Sequence, residues 1–405
     1  MLWHAANNRL NRRTLCGVQV AFAANIAHNL RTNSGDCMYI HEQTGWPNFT
    51  WDHAKLMGAL AEVRHLQGRL LGRMLSLGFL LREEAALQTL TVDVVKTSEI
   101  EGQALDMKQV RSSIARRMGV DGGGLPPVDR NVEGIVDVMF DATSNFAHPL
   151  SEERLFGWHA ALFPTGRSGM QRITVGGWRT ESSGPMQVVS GPYGRETVHY
   201  EAPDHSRMKD EMTRFIEWFN GPVTADPVIK SALAHFWFVT IHPFDDGNGR
   251  IARAIADMAL ARSEGSTSRF YSMSSQIQRE RKAYYDVLES SQKGSLDITA
   301  WILWFLDCLK HAIEAAGETL SCVLAKARFW EAHAGDALNG RQQAMLNRLL
   351  DGFEGKLTSS KWAKIQKCSP DTALRDITEL VNRGILVRDG AGGRSTSYQL
   401  RLPEK

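Results

Sequence analysis

Apolar side chains recur every three or four positions through most of this chain, so its pattern predicts helices far more often than strands. Leu56, Leu60, Val63, Leu66, Leu70 and Leu77 share one stripe, predicting a helix from about Asp52 toward Leu80 with Thr50 or Asp52 as its cap. A second helix, Glu83 to about Glu101, carries Ala86, Leu90, Val94 and Val95 and stops at Gly102, a residue suited to the position after a helix. Gly122-Gly123-Gly124-Leu125-Pro126-Pro127 breaks the pattern, and helices resume over Asn131 to His148 and Glu152 to Phe163. The period then changes. Met186 to Ser190 and Glu196 to Tyr200, joined by Gly191-Pro192-Tyr193-Gly194, read as a β-hairpin. Helical spacing returns in Pro227 to Ile241, Arg250 to Ala261, Gln278 to Ser291 and Asp297 to Ala316.

Between two of those helices lies a dense stretch of chemistry, His242-Pro243-Phe244-Asp245-Asp246-Gly247-Asn248-Gly249-Arg250-Ile251-Ala252-Arg253. A loop feeding a helix N-terminus presents backbone N–H groups and a positive dipole end to an anion, and glycines allow close approach of phosphate oxygens. Arg250 and Arg253, three apart on the new helix, can fork onto the same polyphosphate. Asp246 is an oxygen ligand suited to Mg2+ held jointly with phosphates, and His242 is a base for a hydroxyl proton. Two other motif readings fail on spacing: a Walker loop needs Gly-Lys-Ser/Thr after its glycines, and an EF-hand loop needs an acidic or amide residue where Arg250 stands.

The pattern H-x-F-x-D-G-N-G-R-x-x-R formed by these residues is similar at every position to the signature of the Fic family. The resemblance implies a mainly α fold: a Fic helical bundle with a β-hairpin flap, an N-terminal helical domain and a C-terminal winged helix-turn-helix. It implies transfer of AMP from ATP to a Ser, Thr or Tyr hydroxyl of a target protein, with magnesium bound alongside ATP. By position, His242 would be the catalytic base and Asp246 the metal ligand. Gly247, Asn248 and Gly249 would form the anion hole, with Arg250 and Arg253 on the distal phosphates. Phe244 and Asp245 join the implied ATP-binding set, Phe244 as buried support, and Tyr285 would line the adenine pocket. Tyr284 and Tyr285 also fit ordinary helix packing. In such proteins the hairpin is a flap whose edge holds a target segment by strand addition.

Thr97-Ser98-Glu99-Ile100-Glu101-Gly102 matches the S/T-x-x-x-E-G/N inhibitory pattern of the same family, which makes Glu101 an inhibitory residue able to pair with Arg253. Two alternatives stand beside autoinhibited transfer. One is removal of AMP at the same site, with Glu101 positioning water. The other is a DNA-binding regulator that senses nucleotide without turnover.

The tail changes character. A helix through Leu346, Leu349 and Leu350 is followed by Ser359 to Ile365 and Ser369 to Arg383. Two strands, Ile385-Leu386-Val387 and Thr396 to Leu400, then flank Gly390 to Arg394. This order is that of a winged helix, with Asp371, Thr372, Arg375 and Asp376 opening the recognition helix and Lys361, Lys364, Lys367, Arg375, Arg388 and Arg394 available to phosphates. DNA contact, protein contact and homodimerisation all remain open for it.

A chain of 405 residues has room for two or three domains. The expected divisions are 1–45 as a disordered or mis-started extension, 46–121 as the N-terminal helical domain, 128–318 as the Fic domain and 336–403 as the winged helix. Net charge of +2 excludes a dominant nucleic-acid or membrane surface, and no apolar run reaches membrane-span length. Arg12 and Arg13 before Leu15 to Ala24 imitate a secretory leader only faintly, and Met38 offers a second start. Cys16, Cys37, Cys308, Cys322 and Cys368 lack metal-ligand spacing, so reduced thiols, no zinc and a cytoplasmic location are expected.

Overall fold

The computed structural model describes residues 38–75, 77–119, 128–191, 195–222, 225–350, 353, 355–389 and 396–401. The expectations for 1–37, for the glycine-proline break at 122–127 and for the tips of both hairpins lie outside them. The chain is mainly helical and divides into two compact units, one built from the residues up to 76 with 82–314, the other from 77–81 with 315 onward.

The two helices expected at the start of the first unit are α1 (His53–Leu75) and α2 (Phe79–Ile100), with the break between them a few residues earlier than the expected 80–83. Gly78 lies in the interruption, and the low helical propensity of glycine favours a break there. Asp52 Oδ1 accepts from the N–H groups of Ala54 and Lys55, which makes Asp52 the cap. Then come α3 (Met107–Arg117), α4 (Arg130–Ser144) and α5 (Glu152–Leu162). A small hairpin, β1 (Arg167–Ser168) and β2 (Gln171–Arg172), precedes the larger antiparallel pair β3 (Gln187–Ser190) and β4 (Thr197–Glu201). In that pair Val188 faces Tyr200 and Ser190 faces Thr197, with a bulge between Val188 and Val189. Helix α6 (Met208–Asn220) is next, and Met208, Met212, Phe215 and Phe219 bury one side of it.

The centre of this unit is α7 (Pro227–Ile241) packed along α8 (Asn248–Glu264). Asp226 caps α7 through Val228 N and Pro227 fills its first turn, a combination that starts helices efficiently. Every residue of α7 from Val228 to Ile241 is buried. Then α9 (Met273–Arg279), α10 (Arg281–Gln292) and the first part of α11 (Thr299–Ala332) close the unit, with Trp301 donating to Ala232 O at 2.8 Å.

The structure bears on three of the expected boundaries. The extension does not reach residue 45: Ile40 is completely buried and His41 nearly so, its ring bonded to Glu201 O, because this segment packs against the end of β4. The segments expected as separate helical and Fic domains fall in one unit, since polar side chains of α2 are bound to α8 and to the start of α9. The expected end at residue 318 lies close to the division between the units at 314/315, which falls inside the continuous helix α11.

The second unit holds the rest of α11, then α12 (Gly340–Leu350), α13 (Ser359–Gln366), α14 (Pro370–Asn382) and a hairpin of β5 (Leu386–Arg388) and β6 (Tyr398–Leu400). Phe329, Met345, Leu346, Trp362, Ile377 and Leu386 are among its core residues. Asp376, expected at the exposed reading end of α14, is instead 4% exposed and takes hydrogen bonds from Arg341 and Asn339. It faces α12 and so offers nothing to an outside ligand.

Candidate active site

The loop between α7 and α8 turns on two left-handed residues. His242 ends α7 at φ 52, and Gly247 opens α8 at φ 81. A side chain on Gly247 would also stand 2.9 Å from the Phe163 ring, so both conformation and space call for glycine there. Loop shape is held by side chains that the motif itself supplies. Asn248 Nδ2 donates to Phe244 O at 2.7 Å, and Asn248 Oδ1 accepts from Phe244 N at 2.9 Å. Asp245 accepts from Thr174 N at 2.8 Å and from Ser183 Oγ at 2.7 Å.

Those contacts correct the roles implied for Asp245 and the Asn248 side chain and set Phe244 beneath the loop. Phe244 is fully buried, stacked on His159 with ring centroids 4.2 Å apart, and belongs to the core under the loop rather than to a nucleotide contact. Asp245 is 4% exposed and ties the loop to the segment carrying Thr174 and Ser183. The Asn248 side chain braces the loop, so of that residue only the backbone N–H is left to meet an anion. Helix α8 has no side-chain cap, and its first N–H groups lack partners within the helix by geometry.

His242 is 5% exposed. Its Nδ1 lies 3.1 Å from Val239 O, and a carbonyl can only accept, so Nδ1 carries the hydrogen. Nε2 is then an unprotonated nitrogen without any partner among the described residues. Burial, aided by the charge of Arg179, holds this imidazole down to about 4, and it is neutral at physiological pH. Arg179 Nε donates to His242 O at 2.9 Å and its backbone N to Pro243 O at the same distance, fixing the turn from below. His159 is likewise neutral, lowered to about 4 by burial. It accepts from Gly176 N at Nδ1 and donates from Nε2 to Asp246 O.

Asp246 is partly exposed. Its carboxylate accepts from Ser168 Oγ on β1 and, at 2.6 Å, from Gly247 N. Arg250 crosses the Phe163 ring at 5.0 Å and donates to Gln103 Oε1 at 3.0 Å. Arg253 is 2% exposed. Nε reaches Thr97 Oγ1 at 2.7 Å, and Nη2 reaches Thr97 O at 3.0 Å and Glu101 Oε1 at 2.7 Å, while Nη1 has no hydrogen-bond partner among the described residues. Burial alone would weaken this guanidinium's charge, yet Glu101 outweighs it and raises Arg253. Glu101 also lies at the mouth of α8, where its Oε1 occupies the space that a Cβ on Gly249 would need. Gly102, at φ 79, ends α2 there with Gln103 N bonded to Ser98 O.

The expected residues therefore separate into those at the loop mouth (His242, Asp246, Gly247, Gly249, Arg250, Arg253 and Glu101) and those beneath it. Tyr285 is half-buried, its ring beside Arg281 and its phenol pushed up to about 12 by burial and by the charge of Glu101. Tyr284 is core, its hydroxyl 2.9 Å from His235. Arg179, His159, Ser168 and Ser183 escaped sequence reading because nothing local marks them.

A model of the Fic/DOC family matches residues 149–260, and a model described as a domain of unknown function (DUF4172) matches residues 39–120. The Protein adenylyltransferase Fic of Drosophila willistoni is 25% identical over 226 residues, covering 53% of this chain and 39% of that protein. The Drosophila melanogaster protein of the same name is 26% identical over 226 residues, with the same shares covered, 53% and 39%. The chain thus spans about two fifths of the length of these curated relatives. A crystal structure of a Fic family protein from Desulfovibrio desulfuricans G20 superposes with a TM-score of 0.52 at 20% identity, over 89% of this chain and 99% of that one, which is a likeness of fold. Among the described residues no helix is long and apolar enough to cross a membrane.

Proposed function

Because this chain contains a Fic/DOC domain and is homologous to proteins named adenylyltransferases, we propose that it transfers AMP from ATP to a hydroxyl of a target protein and is restrained by Glu101. One observation carries the reading. A neutral imidazole with an unengaged Nε2 stands at the mouth of a helix N-terminus lined by two buried arginines, and the second arginine is bonded to a glutamate in the turn that follows α2.

In this account the polyphosphate lies across the first turn of α8, taken by the backbone N–H groups of residues 248 and 249 and by Arg250. The target oxygen attacks the α-phosphorus in line, its proton passes to His242 Nε2, and pyrophosphate leaves. Asp246, a partly exposed carboxylate at the loop mouth, is a ligand of the kind that would hold magnesium jointly with phosphate oxygens. Bound there, the ion would neutralise phosphate charge. With Glu101 on Arg253, the γ-phosphate loses its guanidinium and the α-phosphate loses its alignment. Tyr285 forms one wall for the adenine.

For the second unit, the helix order and hairpin support a winged helix whose exposed Lys361, Lys364, Lys367, Arg375 and Arg388 contact nucleic-acid phosphates. ATP labelled on the α-phosphate should mark protein, and ATP labelled on the γ-phosphate should not. Label stripped from an already modified protein would instead favour AMP removal, and binding without either change would favour a nucleotide sensor.

A further inference from the structure

The short β1–β2 hairpin has no apolar core of its own. Arg167, Gln171 and Arg172 are exposed, and Met170 in the turn is 94% exposed. Burial of side chains therefore does not explain why the chain folds back here. Gly169 makes the turn at φ 57, and Arg167 Nη1 closes it by donating to Met170 O at 2.9 Å. The register pairs Arg167 with Arg172 and Ser168 with Gln171, so Ser168 stands on the face opposite to that of the two arginines. It is the one residue of the two strands that is not exposed, and its Oγ donates to Asp246 Oδ2, 78 residues away in sequence.

The residues that follow the hairpin grip the same part of the catalytic loop. Thr174 N donates to Asp245 Oδ2 at 2.8 Å, and Gly176 N donates at 3.2 Å to His159, whose Nε2 holds Asp246 O. Those bonds fix the backbone of residue 246, whereas Ser168 reaches the Asp246 carboxylate itself. Gly247 N donates to Oδ1 at 2.6 Å, so each carboxylate oxygen carries one hydrogen bond and the plane of the group is set. A carboxylate offers about four lone-pair positions, which leaves both oxygens able to bind a cation.

We propose that Ser168 is a positioning residue, whose hydroxyl holds the Asp246 carboxylate in the orientation that magnesium shared with a polyphosphate requires. The inference rests on the magnesium reading of Asp246 given above. Magnesium demands near-octahedral geometry and gives up its waters reluctantly, so a lone protein carboxylate free to swing between rotamers binds it poorly. Groups that hydrogen-bond a ligating side chain contribute about 10- to 100-fold to metal affinity. The hairpin supplies such a group from outside the motif.

The test is calorimetric titration of the full chain with ATP, over a series of magnesium concentrations and in chelator, beside thermal unfolding without nucleotide. Ser168→Ala should raise the magnesium concentration that gives half of the gain in ATP affinity by about 10-fold or more, and leave affinity in chelator unchanged. Ser168→Thr, which keeps the hydroxyl, and Gln171→Ala, which alters the opposite residue of the hairpin, should titrate like the wild-type chain. In the Glu101→Gly background, transfer by Ser168→Ala should recover at saturating magnesium, which a deformed loop would not allow. An unchanged magnesium requirement in Ser168→Ala, while Asp246→Ala loses the magnesium effect, overturns the inference and leaves the metal reading intact. An equal loss of ATP affinity with and without magnesium in Ser168→Ala also overturns it, because Ser168 would then support the loop and not the ligand. A magnesium effect that survives in Asp246→Ala defeats the metal reading, and this inference with it.

Discussion

Replacing Glu101 by glycine removes one carboxylate from the mouth of α8 and nothing from the catalytic loop. In the wild-type chain Glu101 Oε1 holds Arg253 Nη2 at 2.7 Å, with Arg253 2% exposed. A hydrogen bond between charged groups contributes about 1.5–3 kcal/mol net. A γ-phosphate competing for that guanidinium must displace this much, so the productive ATP pose is held to roughly one part in ten to one part in a hundred. Glu101→Gly should therefore raise AMP transfer by about 10- to 100-fold. The same change strips a buried arginine of its counter-ion, which typically destabilises by about 3–5 kcal/mol. The effect should fall at or below the lower end, because Thr97 still binds Arg253 through Oγ1 and O. A lowered melting temperature without nucleotide, largely restored by saturating ATP, should accompany the gain. The assay is initial-rate label transfer from the α-phosphate, read beside thermal unfolding with and without ATP. A folded variant that binds ATP and transfers no faster than wild type would refute the reasoning.

Four further outcomes come from the same structure. Arg253→Ala in the Glu101→Gly background should cancel the gain, since both changes act through one pair; additive rates in a double-mutant cycle would show independence. Asp246→Ala should weaken ATP binding in magnesium and leave it unchanged in chelator, as read by calorimetry; equal losses in both would remove the metal role. Stability should fall as pH drops from about 6.5 toward 4, because the unfolded chain binds protons on His159 and His242 that the native imidazoles, held near 4, do not. Each contributes roughly 3 kcal/mol at full effect, and a melting temperature flat across that window would contradict it. Charge reversal at Lys361 and Arg375 should flatten the salt dependence of any DNA retention by the full chain, and an unchanged salt slope would remove those two residues from a nucleic-acid surface.

The parts of this molecule legible in its sequence are those whose causes are local. Pro227 to Ile241 reads as a buried helix because Asp226 and Pro227 start it and no polar run interrupts it, and the structure ends it at the same residue. The motif placed His242, Asp246 and the arginines at a helix mouth because glycine spacing and helix periodicity are properties of neighbouring residues. Glu101 was legible for the same reason, at the end of a helix stopped by Gly102. The roles of Asp245 and the Asn248 side chain were misplaced because motif position says which residues occur together and not which way they point. Burial and the partners Thr174 and Ser183, distant in sequence, decide that for Asp245. Arg179 could not be found at all, since its function is to hold the carbonyl of His242, 63 residues away. Helix α6 was overlooked although Met208, Met212, Phe215 and Phe219 recur at helical spacing, and α3 although Asp106 caps it through Lys108 and Gln109. Asp376 reads as exposed because acidic residues usually are, until Arg341 from another helix claims it.

The central claim is that His242 takes the proton of the attacking hydroxyl, and single-turnover transfer measures that step. Glu101→Gly and Glu101→Gly with His242→Ala should be compared at equal ATP occupancy, with label on the α-phosphate. The account predicts indistinguishable ATP affinity and a transfer rate lower by about 10²- to 10⁴-fold without the imidazole. Equal transfer rates in the two proteins at matched occupancy would contradict it.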